Sequence, residues 1–241
     1  MKRIIIMALG VLLALALATP MALAQVGQGA AASGTAAELA VAWTQWAYSK
    51  PVDDSPLIGP NEDHPVYSEE QCDGTPVSPT QGKQWFLAGT PDGSVVERTC
   101  TMPVGTHLFF PVVSVVGFPF PNAPNETPET ERALAIAYIN AVLAAPDFSM
   151  LVTVDGKMVK SNRIVRAGNI SGPFFTLTLP EDNVVGVSAG EYEATANGLW
   201  VTLPPLPPGE HTIHFEMSAT TTTFGRVTQD NTYNLTVVNK R

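Results

Sequence analysis

The segment Gly209-Glu210-His211-Thr212-Ile213-His214-Phe215-Glu216 places two histidines and two glutamates within eight residues. Imidazole nitrogens and carboxylate oxygens are ligands that zinc takes from proteins, so the question is whether the backbone gathers them. A helix would bring the histidines together, as the H-E-x-x-H spacing of zinc proteases does. Here Pro207-Pro208-Gly209 makes a corner before the segment, β-branched and aromatic residues fill it, and Thr220 to Thr223 follow. That composition favours a strand. On a strand, side chains alternate. Glu210, Thr212, His214 and Glu216 then share one face, while His211, Ile213, Phe215 and Met217 share the other. The two histidines point apart. A His214–Glu216 or His214–Glu210 metal pair would need further ligands from another strand, and the sequence names none. No metal and no cofactor is assigned on this reading.

The remaining chemical candidates are weaker. Gly186-Val187-Ser188-Ala189-Gly190 is a literal G-x-S-x-G. A hydrolase elbow needs a helix after the serine, but "EYEATANGLW" follows and alternates like a strand, so the frame reads as a turn. His107 stands beside Leu108 and Phe109, where a structural histidine is expected. Asp53, Asp54, Glu62, Asp63, Glu69, Glu70 and Asp73 occupy a proline-rich stretch free of Lys and Arg. They lack the D-x-[DN]-x-[DN]-G spacing of a calcium loop, and read as a solvated acidic loop. "LPPLPP" at 203–208 matches P-x-x-P and serves as a stiff corner.

The elements that must position these groups start at residue 35. Before it, Lys2 and Arg3, the apolar run from Ile4 to Ala18 and Ala22-Leu23-Ala24 form a secretory signal, with cleavage expected between Ala24 and Gln25. The apolar run is short of the about 20 residues of a membrane span. The expected product is a soluble secreted or periplasmic chain of 217 residues (241 minus 24) with no stable membrane insertion. Without Lys2 and Arg3 the 13 basic residues fall to 11, against 22 acidic ones, a net charge of −11. Such a chain repels nucleic acid and anionic membranes. Cys72 and Cys100, in an oxidising compartment and without CxxC spacing, read as a disulfide that stabilises by about 3.5 kcal/mol.

Gln25 to Gly34 reads as a flexible linker. Thr35-Ala36-Ala37-Glu38 is a capping box for a helix carrying Leu39, Trp43 and Trp46, which Pro51 ends. A second helix is expected over about Pro128 to Ala144, with Thr127 as its cap. Elsewhere, "QWFLAGT", "SVVERTCTMP", "THLFFPVVSVV", "FSMLVTVDGKMVK" with its Asp155-Gly156 turn, "NRIVR", "FFTLTLP", "EYEATANGLWVTLPPL", "GEHTIHFEMSA" and "NTYNLTVVN" read as strands. Many short strands with tight turns predict a mainly β chain, an antiparallel β-sandwich of immunoglobulin-like or jelly-roll type with two short decorating helices. Residues 35–241 form one compact unit on this reading.

The stretch from Leu203, "LPPLPPGEHTIHFEMSA…NTYNLTVV", resembles the end of bacterial immunoglobulin-like domains. "QWFLAGTPDGSVVERTCTMPVGTHLFFPVV" resembles a group of uncharacterised secreted bacterial β-rich proteins. The resemblance implies a secreted sandwich whose immunoglobulin-like half covers about 148–241, and it carries no catalytic residues. The expected function is non-catalytic binding or a structural role, with a protein or glycan as partner. Two alternatives make distinct demands. A carbohydrate-binding module needs Trp43, Trp46, Trp85 and Trp200 exposed in a row. A metal-dependent hydrolase needs His107, His211 or His214 to converge with carboxylates in a cleft.

Overall fold

The computed structural model describes residues 36–58, 77–78, 82–121 and 123–239. The expected cleavage point at Ala24 and Gln25, the cap Thr35, Cys72 and the acidic residues from Glu62 to Asp73 lie outside the described residues. Among those described, the chain is mainly β and carries two helices. Strands β1 (Val77–Ser78), β2 (Gly82–Phe86), β4 (His107–Gly117), β7 (Ile164–Gly168), β8 (Phe175–Leu179) and β9 (Gly190–Leu203) form the first sheet. The second sheet has the order β3 (Val95–Pro103), β11 (Gly225–Val238), β10 (Gly209–Thr221), β5 (Ser149–Val154) and β6 (Lys157–Met158).

The two sheets face each other across a core of Phe110, Val201, Phe215, Tyr233 and Leu235 with their neighbours. The pattern follows from alternation: Val96, Arg98, Cys100 and Met102 of β3 are buried while Val95, Glu97, Thr99 and Thr101 are exposed. Both sheets are mixed rather than purely antiparallel. β2 runs parallel to β4, and β3 runs parallel to β11. The chain leaves β2 for β3 in the opposite sheet and returns as β4; two reversals leave β2 and β4 pointing the same way. Local alternation cannot show this, because a parallel pair is made by its crossover and not by a turn. Both sheets also combine strands from either side of residue 148: β3 pairs with β11, and β4 with β9.

Helix α1 (Ala36–Tyr48) buries Leu39, Ala40, Trp43, Thr44 and Ala47 along one stripe. It lies on the side of the first sheet turned away from the sandwich core, against Phe86, Phe109 and Trp200. Helix α2 (Pro128–Ala144) has the expected bounds. The Thr127 side chain accepts from the Thr130 N–H at 3.2 Å and Thr130 Oγ1 accepts from the Thr127 N–H at 2.8 Å, with Pro128 at the first helical position. Ile139 and Val142 of α2 join the core between the sheets. Cys100 is buried in that same core, and among the described residues no cysteine is free.

Candidate functional site

The segment Gly209–Glu216 is the first part of β10, and the alternation holds. Ile213, Phe215 and Met217 are buried against the core, while Thr212 is exposed and His214, Glu216 and Ser218 are half-buried on the outward side. β10 pairs with β11 in an unbroken ladder from Gly209↔Val237 to Thr221↔Gly225. Gly225, at φ 73, takes the left-handed conformation that closes the loop between them. That register sets Glu216 opposite Asp230 and His214 opposite Thr232.

Asp230 supplies what the β10 segment lacks, a ligand from another strand. His214 Nε2 lies 3.0 Å from Asp230 Oδ1 and 4.0 Å from Glu216 Oε2. One nitrogen and two carboxylate oxygens, one from each residue, all lie within 4.8 Å of one another. Among the described residues, His214 is the sole group able to carry positive charge within 4.0 Å of either carboxylate. Like charges directly opposite on paired strands are destabilising. The arrangement therefore favours an added cation.

Hydrogen bonds knit the rest of this face across three strands. Asn234 Nδ2 donates to Glu97 Oε1 at 2.6 Å, and Thr212 Oγ1 donates to Asn234 Oδ1 at 3.3 Å. Thr236 Oγ1 donates to Glu210 Oε2 at 2.9 Å. Glu210 is thus held by a threonine and stands apart from His214. These bonds hold the Glu97 and Glu210 carboxylates of this face in place.

His211 is on the other side of the strand and does a different job. Asp155 is the first residue of the Asp155-Gly156 turn between β5 and β6, with φ 51 and 72 for the two residues. Its Oδ1 accepts from the Thr212 N–H at 2.9 Å and its Oδ2 faces His211 Nδ1 at 2.8 Å. His211 Nε2 faces the carbonyl oxygen of Pro207 at 3.0 Å. Both ring nitrogens thus face acceptors. A neutral imidazole has one N–H, so both bonds form together only in the imidazolium. The hydrogen bond to Asp155 raises the His211 pKa and the same bond lowers that of Asp155, with Glu210 and Lys157 adding in the same directions.

A raised imidazole contributes its stability fully below its unfolded pKa near 6.5 and loses it as pH climbs through the raised value; a lowered carboxylate contributes above about 3.9 and loses it as pH falls through the lowered value. The clasp is complete between about pH 4 and 6.5. Asp155 is nearly half exposed, so its worth is that of a partly screened pair, about 0.3–1 kcal/mol. Urea unfolding at pH 5.5 and 8.5 is expected to show that much more loss in the wild type than in His211→Gln. Equal losses would contradict the clasp.

The other sequence candidates do not join the site. His107 starts β4 in the opposite sheet, half-buried beside Gln84 of β2. Ser188 is exposed in a turn, where its carbonyl accepts from Tyr192 Oη at 2.6 Å. Asp53 and Asp54 are exposed in a short 3-10 turn, Val52–Asp54. The required row of exposed tryptophans is absent: Trp43, Trp85 and Trp200 are buried and Trp46 is half-buried against the same aromatic cluster. The carbohydrate-binding alternative loses the stacking surface it needs, because Trp43 and Trp200 close the contact between α1 and the first sheet.

No family model matches the chain, and no curated protein matches it. Among solved structures, the solution structure of amebosin matches 62% of this chain and 95% of its own at 14% identity, with a TM-score of 0.19. A family 123 glycoside hydrolase from Clostridium perfringens matches 60% of this chain and 23% of its own at 12% identity, with a TM-score of 0.22. Likeness at that level carries no argument about fold or function, and the site stands on its own geometry.

Proposed function

We propose that the chain is a non-catalytic binding module of the secreted or periplasmic space, and that the outward face of its second sheet receives a cationic group at His214, Glu216 and Asp230. The observation that carries this reading is the placing of Glu216 opposite Asp230 with, among the described residues, one imidazole as the only counter-charge within 4.0 Å of either. Support for the compartment is the N-terminal pattern of Lys2, Arg3, the apolar run and Ala22-Leu23-Ala24. No helix among the described residues is long and apolar enough to cross a membrane. In that oxidising space Cys100 is proposed to bond Cys72, tying the acidic stretch to β3. A non-catalytic role is supported by the separation of His107, His211 and His214 over two sheets and two faces, which leaves no pair of them to share one substrate.

A site built for a cation is under strain when empty. In EDTA, Glu216→Gln is expected to stabilise the protein by about 0.3–1 kcal/mol by removing the like-charge pair. That is a rise of roughly 1–3 °C in Tm. The same variant should lose most of the stabilisation that added divalent cations give the wild type. A Glu216→Gln protein that melts lower and still responds to cations would overturn the reading.

A further inference from the structure

We propose that the cation taken by His214, Glu216 and Asp230 is a transition metal ion of the zinc class, an inference that rests on the reading of this face as a cation site. The donor set argues for it. Calcium takes six to eight oxygen ligands and magnesium a near-octahedral shell of them. Here one imidazole nitrogen stands with two carboxylates, a mixture suited to zinc and its first-row neighbours. Two carboxylate charges match a divalent ion, which removes the repulsion between Glu216 and Asp230.

The distances fit as well. Four tetrahedral ligands at about 2.0–2.1 Å from zinc stand about 3.4 Å from one another. The His214 nitrogen is 3.0 Å from one carboxylate oxygen and 4.0 Å from the other, on either side of that value. Side-chain adjustments of about half an ångström bring the nitrogen to that spacing from both carboxylates, whose oxygens lie within 4.8 Å of one another on a hairpin paired along its whole length. His214 Nε2 and Asp230 Oδ1 are at hydrogen-bond distance. On binding, the ion takes the place of the proton between them, which passes to solvent, and the neutral imidazole carries its one N–H on Nδ1. Three protein ligands leave a fourth position toward solvent, so the metal can in turn hold a small anion or a carboxylate of a partner.

The test uses the oxidised protein lacking residues 1–24, stripped with EDTA, and its His214→Asn and His211→Gln variants. Melting in EDTA first confirms that both variants fold. Zinc at 100 times its dissociation constant should raise the wild-type Tm by several degrees. Cobalt(II) should give the intense visible absorption of a low-coordinate site. His214→Asn should weaken zinc affinity at least tenfold and lose the cobalt spectrum, while His211→Gln keeps both. Stabilisation by calcium or spermidine equal to that by zinc, unaltered in His214→Asn, would overturn the zinc assignment and leave the cation site standing. No response to any of these cations would overturn both.

Discussion

Trp200→Ala is expected to cost about 3–5 kcal/mol, the range for deleting a large buried aromatic ring. Trp200 has no exposed surface. It stacks on Phe109 at 5.0 Å between centroids and meets Trp43 edge-on at 5.3 Å. Its indole N–H donates to the Ala167 carbonyl at 2.9 Å, so truncation also orphans an acceptor in the neighbouring strand. Trp43 is anchored in the same way, donating to the Leu87 carbonyl at 2.8 Å. With the specific heat and entropy of a domain this size, the Tm should fall by roughly 10 °C. A loss below about 1 kcal/mol would show that α1 does not seal the first sheet through these rings.

Tyr233→Phe is expected to cost about 2–3 kcal/mol although it removes a single oxygen. The Tyr233 hydroxyl uses its full capacity: it donates to the Ala88 carbonyl at 2.9 Å and accepts from the Ala88 N–H at 2.9 Å and from Arg98 Nη1 at 2.8 Å. Arg98, 2% exposed, is the register partner of Tyr233 across the parallel β3–β11 pair, and also donates to the carbonyls of Ala88 and Pro56. Phenylalanine keeps the ring packing but leaves a buried N–H and one guanidinium donor short of an acceptor, which is the costly outcome for buried polar groups. Urea unfolding measures it. Tyr192→Phe, whose hydroxyl bonds the Ser188 carbonyl at the surface, serves as the comparison and should cost under about 1 kcal/mol. Equal effects of the two would contradict the central role of the buried network.

Much of the fold is legible in the sequence. Thr127 and Pro128 mark the start of α2, Asp155-Gly156 marks the β5–β6 turn, and the corner and threonines around "GEHTIHFE" mark β10 as a strand. The parallel pairings are not legible, because they depend on a crossing between sheets that leaves no local signal. For the site, strand alternation places His214 and Glu216 on one face and separates His211 from them. It does not reach Asp230, fourteen residues beyond Glu216. The signal that reaches it is the hairpin loop. With Thr221 and Gly225 taken as the closing pair, counting outward by equal steps puts Glu216 opposite Asp230. Arg98 leaves no mark of its burial beyond its even place in "VVERTCTM", and only the strand beside it supplies the tyrosine that makes burial tolerable.

The most direct test of the account is an NMR titration of the 15N-labelled protein lacking residues 1–24 with zinc, calcium and spermidine in turn. The expected result is a set of shifts centred on His214, Glu216 and Asp230, extending to Thr232 and to Leu151 and Thr153 of the neighbouring β5, and leaving Asp53 and Asp54 unmoved. Shifts gathered at Asp53 and Asp54, or no shifts with any of the three cations, would contradict it.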